Sequence, residues 1–268
     1  MQFKSFFCVS VLFFALLLPA CAGIKERETE RLLLLHKRYS GSIIRIDMRK
    51  ENGGISGGTA FYTGQGTEFI TARHVLMHED EKGVEYPTDR IMLHIPSCET
   101  SYTANMGDHS EDNIIATLND WANFTPDTDI LTRRPLIYDP QYPLHNGQQV
   151  FIAGYPFLNR DYDYVGNFPI EMIATRSFFV YATTHHFGTT SQTGDQKFTL
   201  VKLADALYDD QAGRGMSGGP VLVWDTTIQD FIAVGILVRI SQTLRTKSPL
   251  LYFIRPDIPL IMPDPEIN

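Results

Sequence analysis

From residue 42 onward, turn residues interrupt this chain every few positions, and the apolar runs between them are too short for ordinary helices. Glycine reaches backbone conformations that other residues avoid, and proline cannot continue a ladder, so both punctuate regular structure rather than extend it. The runs are rich in β-branched and aromatic residues: Ser42 to Met48, Gly58 to Thr63, Glu68 to Ala72, Ile91 to Ile95, Asn113 to Leu118, Gln148 to Ala153, Ile170 to Tyr181, Lys197 to Lys202, Pro220 to Val223 and Phe231 to Val238. Gly64-Gln65-Gly66 joins two of them as a hairpin turn. Helical periodicity is scarce. The pattern predicts an all-β sandwich or barrel. One short helix is expected over residues 24–39, where dense charge is followed by Leu32 to Leu35 and the segment docks on the body.

A chain of 268 residues with 43% apolar composition has material for one large core or two small coupled ones. Cross-links do not help it. Of three cysteines, Cys8 and Cys21 fall in the leader described next, and Cys98 alone cannot form an internal disulfide. The net charge of −8 gives no electrostatic support to a nucleic-acid partner. No repeat or low-complexity tract is present.

Residues 1–22 read as an export signal. Lys4 precedes an apolar run from Phe6 to Leu18 that is too short for a comfortable membrane span, and Ala20-Cys21-Ala22 offers small residues for cleavage. Leu18-Pro19-Ala20-Cys21 also resembles the bacterial lipoprotein box, in which Cys21 would be the acylated first mature residue. Both readings stand at this point: a freely secreted or periplasmic protein, or one whose membrane contact is a lipid on Cys21. Residues 23–41 then form an N-terminal segment, and the folded domain runs over 42–268.

Chemistry concentrates in Gly215-Met216-Ser217-Gly218-Gly219-Pro220-Val221. A serine set among glycines sits on a tight turn with its hydroxyl exposed, and the turn can aim backbone N–H groups at one point beside it. Acyl transfer needs that pairing of a nucleophile with oxyanion donors. Serine also needs a base, commonly histidine, held by an acid. The order Ser, acid, His is excluded, because the last histidines are His185 and His186, both before Ser217. No acid motif precedes His74 to give acid, His, Ser. The order His, Asp, Ser is met by His74 in Thr71-Ala72-Arg73-His74-Val75, by Asp129 in Asp129-Ile130-Leu131 with Asp127 as its rival, and by Ser217.

These blocks resemble the trypsin/chymotrypsin-like serine endopeptidases, and in particular bacterial members without disulfides such as glutamyl-endopeptidase and HtrA-type protease domains. Gly57 to Phe61 with Phe69 to Val75 resembles the strand pair ending in the catalytic histidine, and Val150 to Pro156 the strand opening the second barrel. The resemblance covers roughly residues 42–240. It implies two six-stranded antiparallel β-barrels, roughly 42–140 and 141–250, with the active site in the cleft between them. It implies His74 as general base, Asp129 as the acid that orients it, Ser217 as nucleophile, and Gly215 and Ser217 as oxyanion donors. The substrate would be a protein or peptide, and the family requires no cofactor.

For specificity, the resemblance places Gln211 at the base of the primary pocket, Val238 on its wall and Arg239 just beyond, with Arg214 in the serine loop. A neutral amide cannot balance a buried basic head group. Small or apolar residues are therefore expected before the cut, acidic ones second and basic ones last. Met216 replaces the acid that in animal zymogens pairs with a new N-terminus, so no activating ion pair is expected. A metal is not expected: Val75 follows His74 where a zinc peptidase needs Glu. The same triad chemistry would serve an esterase, and a silent protease-like binding domain is the reading from a different class.

Overall fold

The computed structural model describes residues 27, 30–49, 55–64, 68–79, 84–94, 97–107, 119–130, 134–145, 148–155, 179–184, 188–190, 198–202, 215–241 and 250–258. Of the expected elements, the 1–22 leader, the strand over Asn113 to Leu118 and most of Ile170 to Tyr181 lie outside these residues.

The first half builds on a long antiparallel pair. β1 (Ile43–Arg49) and β2 (Ile55–Tyr62) run side by side with Ile43 opposite Phe61 and Ile46 opposite Gly58. β3 (Phe69–Thr71) follows, then a single 3₁₀ turn over Arg73–Val75, and a separate ribbon of β4 (Met77–Glu79) and β5 (Glu85–Pro87). β6 (Ile91–His94), β7 (Ser97–Thr100), β8 (Tyr102–Met106) and β9 (Ala122–Pro126) complete a seven-stranded sheet ordered β7-β6-β1-β2-β3-β9-β8.

The second half forms an eight-stranded sheet. Its members are β10 (Ile137–Tyr138), β11 (Gln149–Gly154), β12 (Phe179–Thr184), β13 (Gly188–Thr190), β14 (Phe198–Lys202), β15 (Pro220–Asp225), β16 (Asp230–Ser241) and β17 (Leu250–Ile254). The path runs β12-β11-β15-β16-β17-β14-β13, with β10 beside β16 in the one parallel pairing among the described strands. The protein is thus mostly β, as the punctuation predicts. Among the described residues the two sheets hold seven and eight strands where six and six are expected, with short strands such as the two-residue β10 of the second sheet included.

Burial explains why the second sheet reads as nearly continuous apolar runs. On β11, Phe151 and Ala153 join the core that also holds Ile43, Ile44, Phe61 and Phe69, while the alternate Val150 and Ile152 enter a second cluster with Val221, Val223, Val234 and Leu237. Side chains alternate across a strand, so a strand buried on both faces must be apolar at every position. The first core spans both sheets and couples them. β1 carries a buried exception: Arg45, 2% exposed, pairs through Nη2 with Asp47 Oδ2 at 2.7 Å, and His94 Nε2 meets the same carboxylate oxygen at 2.8 Å.

A helix covers residues 30–39. Leu35 and Tyr39, four apart on one face, are buried in the first core, and Leu32 packs beside them. Arg38 then pairs with Asp230 on β16 at 2.9 Å.

Candidate active site

The register of β3 and β9 decides what stands beside His74. Phe69 lies opposite Phe124, Ile70 opposite Asn123 and Thr71 opposite Ala122. Antiparallel strands bring the residues just after Thr71 next to those just before Ala122. His74, on the 3₁₀ turn, therefore meets Asp120. Asp120 Oδ2 lies 2.6 Å from His74 Nδ1, and Oδ1 accepts the backbone N–H of His74 at 2.8 Å. One carboxylate thus holds both ring and backbone of the same residue. With Nδ1 donating to the carboxylate, Nε2 is left as the basic nitrogen.

Burial, the largest single influence on the ring, favours its neutral form; the charge and hydrogen bond of Asp120 and the charge of Glu85 oppose it and leave the pKa above the ordinary imidazole value. The side chain keeps a solvent-facing part, 43% exposed. Glu85 is itself held by Arg73 at 3.1 Å.

The serine turn is fastened to the same region. Gly215 and Gly218 adopt φ of 92° and 84°, conformations open to glycine at little cost. Ser217 C=O accepts the N–H of Thr59 on β2 at 2.8 Å, Gly218 N–H donates to Leu237 C=O at 2.7 Å, and Gly219 N–H donates to Met216 C=O at 2.9 Å. A Cβ on Gly218 would overlap Thr59 O and Thr71 Oγ1 and would sit 2.9 Å from the N of Ala72, two residues before His74. The turn carrying Ser217 therefore packs directly on the segment that leads into His74. The N–H groups of Gly215 and Ser217 donate to no described residue. Met216 is 1% exposed and packs in the second core.

The sequence model of the trypsin-like peptidase domain matches residues 58–228, well over half of the chain and inclusive of His74, Asp120 and Ser217. This chain belongs to the trypsin-like peptidase family. Comparison with curated proteins finds no relative by sequence. Among solved structures, a variant of the HtrA-type protease AlgW with a tripeptide is similar at 14% identity and TM-score 0.51, over 82% of this chain and 58% of that one. The chain thus spans under two thirds of AlgW. An inactive form of the Rv3671c protein of M. tuberculosis is similar at 14% identity and TM-score 0.50, over 82% and 84% of the two chains. At such identities these likenesses show the fold.

The trypsin-like peptidase corrects one expected residue. Asp129 is not the acid beside His74, and neither is Asp127. β9 runs from Ala122 at the His74 end to Pro126 opposite Tyr102, and Asp127 N–H donates to Ser101 C=O at 3.0 Å beyond that far end. With a rise of about 3.3 Å per residue, the strand alone separates the two ends by about 13 Å. Asp127 and Asp129 are both exposed there. The signal for Asp120 was its place just before the strand, masked by Trp121 where the sought block has an aliphatic residue.

For the remaining positions, Val238 is buried on β16, 4% exposed, and Arg239 lies opposite Tyr252 past a register shift in the β16–β17 pairing. Gln211, Arg214 and Cys21 lie outside the described residues. The rings of His78 and Tyr86 lie tilted by 45° with centroids 5.7 Å apart. Among the described residues, no three His, Cys, Asp or Glu side chains gather to hold a metal.

Proposed function

We propose that this trypsin-like peptidase is an exported serine endopeptidase working through Ser217, His74 and Asp120. The observation that carries the reading is the clamp of Asp120 on His74, in a segment packed against the Ser217 turn. Ser217 Oγ attacks the peptide carbonyl while His74 Nε2 takes its proton. Asp120 fixes the ring and stabilises the imidazolium that forms. The N–H groups of Gly215 and Ser217 receive the oxyanion. His74 then protonates the leaving amine, and a water activated by the same ring releases the acyl group. Substrates are proteins or peptides. Gln211 sets the preference against Lys or Arg before the cut, with small or apolar residues first. The leader delivers the chain outside the cytoplasm, either free or held by a lipid on Cys21.

The test uses purified mature protein, a fluorophosphonate label and a denatured protein mixture whose cut sites are read by mass spectrometry. Wild type should label and cut. Ser217→Ala and His74→Ala should each abolish both while keeping the wild-type circular dichroism spectrum. The double variant should be hardly worse than either single one, because the groups act as a unit. Hydrolysis that persists in Ser217→Ala would remove the assignment.

A further inference from the structure

We propose that Thr59 is a positioning residue for the oxyanion-binding side of the serine turn, an inference that rests on the serine mechanism above. Thr59 lies on β2 and is fully buried, and each of its polar atoms has a separate task. Its N–H donates to Ser217 C=O at 2.8 Å. Its Oγ1 donates to Gly215 C=O at 2.9 Å and accepts the N–H of Tyr155, just after β11, at 3.1 Å. Its C=O accepts Thr71 Oγ1 at 2.7 Å, three residues before His74. One residue of the first sheet thereby touches the serine loop, the end of β11 in the second sheet and the segment bearing His74.

The hydroxyl is the part that chemistry requires. It carries one donor and two acceptor lone pairs, which fits the carbonyl of Gly215 on one side and the amide of Tyr155 on the other. The space for it is built: a Cβ on Gly154 would lie 2.7 Å from Thr59 Oγ1 and 3.4 Å from its Cγ2. Bonds to the carbonyls of Gly215 and Ser217 bracket the Met216–Ser217 peptide, whose N–H is one of the two oxyanion donors. Anchoring both carbonyls fixes the direction of that N–H before substrate arrives, and preorganised donors stabilise developing charge without reorganisation. Thr59 touches no reacting atom; it acts by holding the atoms that do.

Thr59→Val keeps the shape and removes the hydroxyl, and Thr59→Ala and Thr59→Ser differ from each other by the hydroxyl alone. On a peptide substrate, Val and Ala should lower kcat by about ten- to a hundredfold, below the loss for deleting an oxyanion donor outright. KM should stay within about twofold, since the loss falls on the transition state. The pH midpoint of activity should not move, because the Asp120–His74 pair is untouched. Ser should restore kcat to within about threefold of wild type. Should Val fail to fold, the Ala and Ser pair gives the same answer. A Val or Ala variant with wild-type kcat, or a Ser variant as impaired as Ala, overturns the inference. Ser217→Ala is measured alongside: hydrolysis that survives it overturns the serine mechanism and this inference together, whereas Ser217-dependent hydrolysis indifferent to the hydroxyl overturns this inference alone.

Discussion

At the scale of single residues, the proposed mechanism puts the most weight, after Ser217, on Asp120, the carboxylate that holds His74. Asp120→Asn keeps the shape but cannot hold the ring in the tautomer that leaves Nε2 basic, so kcat should fall by about 10⁴-fold. Asp129→Asn, at the exposed far end of β9, should leave kcat within about twofold. Steady-state kinetics on the two variants checks both. The pH dependence follows from the raised pKa of His74. In the proposed mechanism activity needs the neutral ring, so it should rise with pH through a midpoint above the ordinary imidazole value of about 6.5, and Glu85→Gln should move that midpoint downward. Stability has the opposite sense. A raised folded pKa contributes stability that is whole below about 6.5 and lost as pH rises through the folded value, so Asp120→Asn should lower Tm more at about pH 5.5 than at about pH 9. His74 and Ser217 were legible as candidates because the residues that mark them, Thr71 to Val75 and Gly215 to Pro220, are contiguous in sequence. Asp120 was not, because its partnership depends on which end of β9 lies beside β3, and that register is a tertiary fact.

At the scale of elements, the serine turn depends on Gly218. An alanine there meets both a φ of 84° and the backbone of Thr59. The left-handed conformation costs a residue with a Cβ about 1–2 kcal/mol, and relief of the overlap must push the turn away from Thr71 and Ala72. Displacement of a reacting group by about 1 Å can cost about a hundredfold, so the rate of fluorophosphonate labelling should drop by about that factor in Gly218→Ala. A labelling rate unchanged from wild type would mean that the turn tolerates the shift. Strands with strong local patterns, such as β11 and β15, were readable in the sequence. β9 was not: Ala122-Asn123-Phe124-Thr125-Pro126 mixes polar residues into a strand whose Asn123 is nevertheless buried, 1% exposed, and burial of a polar residue leaves no hydropathy signal.

At the scale of the whole molecule, the two sheets share a core but also need a fixed approach, and Asp230 contributes to it at the start of β16. Its Oδ1 accepts from Arg38 on the N-terminal helix at 2.9 Å and from Phe231 N–H at 3.0 Å, while Oδ2 accepts from Arg134 in the segment between the sheets. The carboxylate is nearly buried, 8% exposed, whereas Arg38 and Arg134 are 29% and 49% exposed. Removal of one partner from a fully buried pair costs about 3–5 kcal/mol, because the other charge is stranded. Here both guanidinium groups keep access to water, and the loss is smaller. Asp230→Ala should therefore destabilise the protein by about 1–3 kcal/mol, mostly through the lost charge-assisted bonds and the unpaired Phe231 N–H. At about 2–4 °C per kcal/mol for a domain of this size, Tm should fall by roughly 2–12 °C. Asp230 lies seven residues along β16 from Leu237, whose carbonyl holds the serine turn, so kcat measured well below Tm should remain within about twofold of wild type. A thermal melt and a rate on the same preparation separate the outcomes: an unchanged Tm would place the docking energy of the helix in Leu35 and Tyr39 alone, and a fall in kcat without a fall in Tm would mean that the N-terminal segment reaches the site by a route other than stability.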